Sequence, residues 1–390
     1  MQHETALALA RQVGEIAAAH AAEGEANSSL HPDVVDAMIE TGLFKLLRPK
    51  LFGGYEANPW TYVEVVREIG RYDPAAAWVY SVVEIHEWWL SYANPALQEE
   101  IWGVERPGLL VDAIAPVGRA ERVDGGWKVT GRWKFLSGID WAEWVAVAAL
   151  AELRPGGPPE PALFVLKKDQ VRVERDWNVV GMRGTASNSV TVEDAVVPEH
   201  RVLPLMPVAK GGVPFNPKLE DRPLYRTQFV PMLATAIYAP ALGGAQRAIE
   251  LYRDWVEQRI RPYALGAREK EAPAAPLTLA EASVLFDAVH ALSYHYCWEL
   301  QRRGEARQSQ DDPVFRARCF AQRAWMSRTC ATIVERLFLA SGGSALYADH
   351  PLQKIWRDIH AAAQHVAVIY EDGLASLGQV LLGGTGHPLL

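Results

Sequence analysis

The sequence predicts an α+β protein with an N-terminal helical domain, a central antiparallel β-barrel or sandwich, and a C-terminal four-helix bundle. Apolar residues recur at helical spacing through about the first hundred residues and again from about residue 224 to residue 382. Between these regions the apolar residues form short runs separated by turn-forming glycines and prolines, which is typical of strands. We therefore expect domains at residues 1–107, 108–223 and 224–390.

The composition is that of a soluble globular protein. Of the 390 residues, 49% are hydrophobic and 22% are charged, and the formal net charge is −8. This charge argues against nucleic acid or an anionic membrane as a partner, and no apolar run approaches the length of a membrane span. Cys297, Cys319 and Cys330 lack metal-binding spacing and lie in helical patterns, so we expect reduced core thiols in a cytoplasmic protein.

The fourth helix of the N-terminal domain carries the first candidate site residues. Asp73 is its predicted cap and Pro74 lies in its first turn. Trp78, Val82 and His86 follow at four-residue steps, so they share one stripe, and His86 lies ~12 Å along the axis from Trp78. One ligand can therefore contact both ends of the stripe. A buried histidine bonded to a backbone carbonyl is the commoner explanation of a single histidine.

The central domain is organised around a β-hairpin and the strand break that follows it. The predicted turn is Gly125–Gly126, and apolar residues alternate with polar ones along Trp127–Phe135. The strand breaks at Ser137–Gly138 and resumes with the apolar run Val145–Leu150. A serine at such a break, flanked by aromatic rings, can bond the edge of a flat ligand. On these residues alone, a turn serine in a tryptophan-rich core is an equally good interpretation.

Four helices with short links are predicted in the C-terminal domain, which is typical of an up-down bundle. The first covers about Ala241–Arg261, and the second opens with a capping box at Thr278–Glu281. The third is capped at Asp312–Pro313 and ends at Ser341–Ser344. A single long helix then covers about Leu352–Leu382.

Several common site motifs are absent from the sequence. It contains no P-loop and no GxGxxG segment after a strand, which argues against a nucleotide site of either kind. Histidines five residues apart on helices face different directions, so we predict no metal site. Ser137 lacks the leading glycine of a hydrolase nucleophile elbow.

The order and lengths of the three parts resemble the acyl-CoA dehydrogenase superfamily. Gly181–Pro198 resembles the end of its β domain, and Leu339–Ser344 resembles the bundle loop that reaches flavin. The dehydrogenases place a glutamate base nine residues after the Arg-Asp pair, but here that position is Val366. His365 stands beside it, and Glu371 comes five residues too late. Because removal of an α-proton needs a carboxylate, dehydrogenase chemistry does not follow from the resemblance.

Three segments are similar instead to the reduced-flavin-dependent, two-component monooxygenases (group D), such as 4-hydroxyphenylacetate and hydroxylated-steroid hydroxylases. They are Ala75–Trp88 (AAAWVYSVVEIHEW), Gly131–Gly138 (GRWKFLSG) and Ile355–His365 (IWRDIHAAAQH). The resemblance implies an oxygenase component that receives reduced FMN or FAD from a separate NAD(P)H:flavin reductase. With O2, it forms a flavin C4a-hydroperoxide and hydroxylates an aromatic or related small molecule.

The resemblance leaves other functions open. One is oxidation of the nitrogen of an amine or amino sugar within the same branch. Another is an acyl-CoA dehydrogenase or oxidase with a relocated base. The third is a non-catalytic, ligand-binding relative. A homotetramer assembled through the C-terminal bundle is also implied, with no nucleic acid or membrane as partner.

The same resemblance implies roles for individual residues. Trp78 packs against the isoalloxazine, Ser137 bonds near flavin N5, and His365 assists the reaction with O2. His86 takes or stabilises a phenolic proton. The other cofactor-binding candidates are Phe135, Gly138, Arg183, Arg259, Ser341, Gly342, Gly343 and Ser344, of which Arg259 and Ser341–Ser344 are expected to serve a neighbouring subunit's flavin. The candidates for the substrate pocket are His86, Asp112, Trp141 and Trp89, and plain core packing is the alternative for each tryptophan.

Overall fold

A computed structural model describes residues 1–104, 108–211, 214–261, 264–309 and 311–387, so the expected domain boundary at residue 107 lies outside the described residues. The helices before the sheet are α1 (His3–Asn27), α2 (Pro32–Glu40), α3 (Pro59–Tyr72), α4 (Pro74–Trp89) and α5 (Pro95–Trp102). Each of α2 to α5 begins with a proline, whose missing N–H costs nothing in a first turn. The predicted cap of α4 is confirmed, because the Asp73 side chain accepts a hydrogen bond from the N–H of Ala75.

The central part is one seven-stranded sheet in the order β5-β6-β2-β1-β3-β4-β7. Its strands are β1 (Leu110–Val123), β2 (Gly126–Leu136), β3 (Trp144–Ala151), β4 (Glu160–Lys167), β5 (Arg172–Glu174), β6 (Asn188–Val197) and β7 (Val202–Pro204). The expected antiparallel arrangement is wrong for one pair, since β1 and β3 run parallel, with Leu110 opposite Trp144. β2 returns antiparallel to β1, and β3 then lies on the other side of β1. The sheet is therefore mixed.

The hairpin and the strand break differ in detail from the prediction. Val123 pairs with Gly126, so the turn residues are Asp124 and Gly125, one position earlier than expected, and Gly125 has a φ of +85°. The register of β2 against β6 shifts after Trp133, and Phe135 has a φ of +68°. The alternation therefore ends before Phe135, whose side chain is 67% exposed. This bulge turns the chain towards Ser137.

The C-terminal part is helical, as expected, but its fourth helix is broken. Its helices are α6 (Leu205–Ala209), α7 (Phe229–Leu233), α8 (Thr235–Gln258), α9 (Ala274–Glu305), α10 (Pro313–Ala340), α11 (Pro351–Ala362) and α12 (Tyr370–Leu381). Between α8 and α9, the short strands β8 (Ile260–Arg261) and β9 (Ala267–Arg268) pair with each other. The Asp312 cap is confirmed by its bond from Phe315 N, at 2.9 Å. The predicted capping box at Thr278 is wrong, because α9 already begins at Ala274. The expected long last helix is divided into α11 and α12, and His365 lies in the break.

Helix α4 is the element around which the parts meet. It packs against α3, α8, α11, β1 and the turn Arg183–Thr185. Every residue of α4 except Val82 is buried, including Glu84, His86 and Glu87. Buried ionisable groups need partners, and His86 has its partners on β1, at Leu110 and Asp112, so it connects α4 to the sheet.

Helix α9 forms the outer face of the helical part. It is long and apolar enough to cross a membrane by length and composition, and 17% of its apolar window is buried. It packs against α8 and α10, and its exposed side chains include Leu277, Val284, Tyr294 and Trp298. One such helix is weak evidence of a membrane span. The three cysteines are free and buried, as predicted.

Candidate active site

The structure brings together Trp78, Ser137 and His365, which the sequence placed in three different parts of the chain. Trp78 lies on α4, Ser137 follows the end of β2, and His365 lies between α11 and α12. The indole Nε1 of Trp78 donates a hydrogen bond to Ser137 Oγ at 2.9 Å. The ring of His365 meets the Trp78 ring edge to face, with centroids 5.8 Å apart.

A chain of hydroxyl groups extends from Ser137 away from Trp78. Ser137 Oγ lies 2.7 Å from Ser187 Oγ, which lies 2.6 Å from Thr185 Oγ1. Thr185 Oγ1 in turn donates to the carbonyl oxygen of Met182 at 2.9 Å. Met182 and Ala186 both have positive φ, so the backbone bends twice and presents these hydroxyls on one side. Sequence reasoning missed Ser187 and Thr185, although they belong to the segment Gly181–Pro198 that carried the resemblance.

His365 is a neutral imidazole near pH 7. Burial, together with the charge of Arg323, lowers the pKa of His365 to about 4, although the charge of Asp112 opposes the change. Its Nδ1 accepts a hydrogen bond from Ala367 N at 3.1 Å, so the ring hydrogen is on Nε2. Arg323 also donates to the carbonyl of Ala367 at 2.7 Å, which holds the break that positions the ring.

His86, the residue expected to face the substrate, contacts Asp112 and the backbone of β1. Its Nδ1 lies 2.7 Å from the carbonyl oxygen of Leu110, and its Nε2 lies 3.2 Å from Asp112 Oδ2. Trp89 donates to the same Oδ2 atom at 3.0 Å. Burial lowers the pKa of His86, but the Asp112 charge and the bonds to Asp112 and Leu110 outweigh it and raise the pKa above its ordinary value.

Of the two side chains, that of Asp112 can accept a further hydrogen bond. Its side chain is 12% exposed, whereas that of His86 is 4% exposed. Oδ2 takes both donors, and no hydrogen bond to Oδ1 occurs among the residues that the structure describes. Asp112 is also close enough to His365 for its charge to act on the pKa of that imidazole. Oδ1 is therefore available to a further hydrogen-bond donor.

Other predicted site residues offer groups that fit a flat ligand with polar edges, such as flavin. Phe135 is exposed and lies edge to face with Trp177, with centroids 6.1 Å apart. Arg183 Nε and Trp141 Nε1 are buried donors without a hydrogen-bond partner in the described part of the chain. Because unpaired buried donors are costly, both are suited to acceptors on a bound molecule. The residues present therefore fit a flavin beside Trp78 and Ser137.

Gly138 supports the site through its backbone. Its φ is +76°, and an added Cβ would lie 3.3 Å from Val79 Cγ1, so a larger residue would strain the turn and crowd α4. Its N–H donates to the carbonyl oxygen of Thr185 at 2.8 Å. Gly138 therefore fixes the end of β2 against both α4 and the hydroxyl chain.

The remaining cofactor-binding candidates form a separate cluster. Arg259 Nη1 donates to Ser344 Oγ at 3.0 Å, and Ser341 is buried against the end of α10. Gly342 and Gly343 are exposed, with open space where a side chain would extend. Among the described residues, no hydrogen bond or ion pair connects this cluster with Trp78, Ser137 or His365.

A buried ion network connects α4 and α11 behind the site. Lys354 Nζ lies 2.7 Å from both Asp73 Oδ1 and Asp358 Oδ2. Asp358 Oδ1 accepts a hydrogen bond from Met182 N at 2.6 Å. The network therefore holds the residue whose carbonyl ends the hydroxyl chain. Sequence reasoning used Asp73 only as a helix cap and Asp358 only as a family marker.

Two tryptophans near the site belong to the core. Trp88 is buried and donates to the carbonyl of Leu224, and Trp144 is buried beneath the Lys167 ammonium. Trp89 and Trp141 remain as candidates for the substrate pocket. A surface cavity of about 730 Å³ lies elsewhere, against Trp102 on α5, and none of the candidate residues lines it.

The position of a dehydrogenase base holds no acid. Val366 is 62% exposed, and Glu371 pairs with Arg328 at 3.3 Å on the surface of α12. Among the described residues, no carboxylate side chain of α11, of α12 or of the break between them contacts His365 or Trp78. The arrangement lacks what α-proton abstraction requires at this place.

Comparisons with known proteins agree with this geometry. Profiles of the acyl-CoA dehydrogenase N-terminal and C-terminal domains match residues 2–102 and 235–370. The chain is 35% identical over 340 residues to HsaA, the oxygenase subunit of a flavin-dependent monooxygenase from Rhodococcus jostii strain RHA1, covering 86% of this chain and 87% of the relative. It is 28% identical over 358 residues to the oxygenase component of the FADH2-dependent resorcinol hydroxylase of Rhizobium sp. strain MTP-10005, covering 90% and 87%. The crystal structure of 3-HSA hydroxylase from Rhodococcus sp. RHA1 matches with a TM-score of 0.91 at 29% identity, covering 100% of both chains.

Proposed function

The chain belongs to the acyl-CoA dehydrogenase superfamily and, within it, to the flavin-dependent monooxygenases, and on that premise we propose that Trp78, Ser137 and His365 form the flavin-facing part of its active site. The protein is the oxygenase component of a two-component system that hydroxylates an aromatic substrate. Its cofactor is reduced flavin, its co-substrate is O2, and a separate reductase supplies the flavin.

The observation that carries the proposal is the convergence of Trp78, Ser137 and His365 from α4, the end of β2 and the break after α11. When bound, reduced flavin supplies the reaction with O2 that oxidises the substrate. Trp78 offers an indole face, and His365 offers a neutral imidazole with a hydrogen on Nε2. Closely packed aromatic rings also exclude water from this side, which suppresses side reactions.

We assign the substrate-facing role to Asp112, with His86 as the group that positions it. Both nitrogens of His86 are engaged, so the imidazole cannot bind a substrate without losing an existing bond. Asp112 Oδ1 accepts no hydrogen bond from the described residues, and the Asp112 charge is near enough to act on His365. A carboxylate here suits an aromatic ring that carries a hydrogen-bond donor, above all a phenolic hydroxyl. Removal of that proton increases the nucleophilicity of the ring towards the incoming oxygen.

Finer aspects of the assembly are proposals too. We propose a homotetramer in the cytoplasm, with three domains at the boundaries given above and a reductase that uses NAD(P)H. The exposed apolar face of α9 supports contact with another subunit, since large exposed apolar patches mark interaction sites. The open space at Gly342 and Gly343, beside the Arg259–Ser344 bond, supports a ligand or neighbour there.

The experiment that tests the function is rapid mixing of the purified protein and reduced FMN or FAD with oxygenated buffer. We expect a transient absorbing species before oxidised flavin appears, and consumption of that species with a phenol rather than with the corresponding methyl ether. Oxidised flavin formed directly, at the rate seen without protein, would contradict the proposal. An acyl-CoA that bleaches bound oxidised flavin would support dehydrogenase chemistry instead.

A further inference from the structure

The hydroxyl chain behind Ser137 has a fixed direction. The chain comprises three contacts between oxygen atoms: Ser137 to Ser187, Ser187 to Thr185, and Thr185 to the Met182 carbonyl. Three hydroxyl hydrogens are available for these three contacts, and a carbonyl can only accept. Thr185 must therefore donate to Met182, so Ser187 donates to Thr185 and Ser137 donates to Ser187. Any other arrangement leaves two oxygen lone pairs facing each other.

This direction determines what Ser137 can offer to a ligand. Its only hydrogen is committed to Ser187, and one of its lone pairs accepts the indole N–H of Trp78 at 2.9 Å. One lone pair remains, on a side chain that is half-buried, whereas Ser187 and Thr185 are buried. Towards a bound molecule, Ser137 is thus an acceptor and not a donor.

Flavin presents opposite hydrogen-bonding character at N5 in its two redox states. N5 of oxidised flavin has a lone pair and no hydrogen, whereas N5 of reduced flavin carries a hydrogen. We propose that the Ser137–Ser187–Thr185 chain makes the site select reduced flavin over oxidised flavin, by holding Ser137 as an acceptor. This inference rests on the proposed function and on the contact between Ser137 and flavin N5 that the family resemblance implies, and it makes Ser187 and Thr185 positioning residues.

The chain is held in place by contacts that do not involve a ligand. Met182 N donates to buried Asp358, and Gly138 N donates to the carbonyl of Thr185. The acceptor character of Ser137 is therefore built into the fold before flavin binds. Such preorganisation lowers the free-energy cost of binding the matching redox state.

The test compares dissociation constants of reduced and oxidised FMN, or FAD if it binds more tightly, under anaerobic conditions. The wild-type protein should prefer the reduced form. Ser187→Ala releases the Ser137 hydrogen, which can then be donated to oxidised N5, so oxidised flavin should bind more tightly. Because one hydrogen bond contributes ~1 kcal/mol net, the preference should fall about fivefold to tenfold.

Thr185→Val provides a second, nearly isosteric variant. It removes the acceptor of the Ser187 hydrogen, so Ser187 can donate to Ser137 and reverse the chain, and the preference should fall in the same way. Ser137→Ala should instead weaken reduced-flavin binding without strengthening oxidised-flavin binding. Ser283→Ala is the control, because its hydroxyl bonds only the carbonyl of Leu279 on α9.

The inference would be overturned if the ratio of the dissociation constants of oxidised and reduced flavin were unchanged in both Ser187→Ala and Thr185→Val. Equal weakening of the binding of both redox states would overturn it too. Absence of binding of either redox state to the wild-type protein would contradict the proposed function. The two failures are therefore distinguishable. The readout is an equilibrium ratio, so it does not depend on turnover.

Discussion

Nε2 of His86 lies 3.2 Å from Oδ2 of Asp112, and from this contact we propose that Asp112 rather than His86 meets the substrate. The other nitrogen of His86 contacts the Leu110 carbonyl, so the imidazole is held at both ends. Oδ1 of Asp112 accepts no hydrogen bond from the described residues, and the Asp112 side chain is partly exposed. Trp78, Val82 and His86 lie at four-residue steps on α4, and the carboxylate of Asp112 on β1 lies beside the histidine.

Asp112→Asn should separate substrate oxidation from the reaction of flavin with O2. The amide keeps the size of the side chain and can still accept from Trp89, but it is a far weaker base. We expect kcat/KM for a phenol to fall about 100-fold or more, the usual contribution of a positioned base. Oxidation of reduced flavin should continue and yield hydrogen peroxide. Product and peroxide yields measure this, and unchanged product yield would contradict the role of Asp112.

The titration of His86 provides an independent check of the same pair. Since Asp112 raises the pKa of His86, the stability that the pair contributes is fully present below the ordinary histidine pKa of about 6.5. It is lost as the pH rises through the higher pKa of the folded protein. In Asp112→Asn, the Leu110 bond and the charge of Glu87 still oppose burial, but the contribution of the Asp112 charge is gone, so the pKa of His86 should fall. Histidine-selective NMR of both proteins measures the change, and equal pKa values would exclude the ion pair.

His365→Ala should divert O2 into free peroxide while the fold is retained. The ring meets Trp78 and lacks a net charge near pH 7, because its pKa is lowered to about 4. We expect a several-fold rise in peroxide formed per flavin oxidised in the variant. In the wild-type protein, the titration of His365 should cause no inflection in the peroxide yield between pH 5.5 and 8. His360→Ala is the matched control, since His360 bonds the carbonyl of Trp356 within α11. Equal coupling in both variants would remove the role of His365.

Glu84→Gln should make the protein more stable at high pH. Glu84 is buried, its Oε1 accepts from Leu47 N at 2.5 Å, and its Oε2 lacks a partner among the described residues. Burial, with the nearby charge of Glu87, raises the pKa of Glu84 well above its ordinary value. The folded protein therefore binds a proton that the unfolded chain releases above about pH 4.5, and stability falls as the pH rises from there through the folded pKa.

Glutamine carries no such proton, so the variant should gain about 1–3 kcal/mol over the wild-type protein at pH 8 and little at pH 5. Urea unfolding at the two pH values measures the difference. Glu87→Gln is the contrasting variant, because Glu87 accepts from Arg48 Nε at 2.5 Å and from Trp102. Breaking that buried pair should cost about 3–5 kcal/mol. If Glu84→Gln changed the free energy of unfolding equally at pH 5 and pH 8, Glu84 would not be neutral in the folded protein.

Local signals account for the parts of the fold that were predicted well. Asp73 and Asp312 cap their helices because a side-chain carboxylate and the following proline satisfy a first turn within a few residues. One local and one tertiary cause explain two errors. Thr278 has the pattern of a cap but lies inside α9, since the residues from Ala274 onwards also form helix. Phe135 continues the alternation of β2 in sequence, yet a shift in pairing with β6 turns it outwards.

The amino-acid sequence by itself determined the order of helices, sheet and helices and the polar caps, because each depends on neighbours a few positions apart. Its resemblance to the monooxygenases supplied the candidate site residues. Only the tertiary structure decided how they act. The break at His365 is held by Arg323 from α10, the acceptor state of Ser137 is set by Ser187 and Thr185 beyond β5, and Asp112 on β1 takes its orientation from His86 on α4. Hydrogen bonds between distant segments fix protons and orientations, and no local pattern records them.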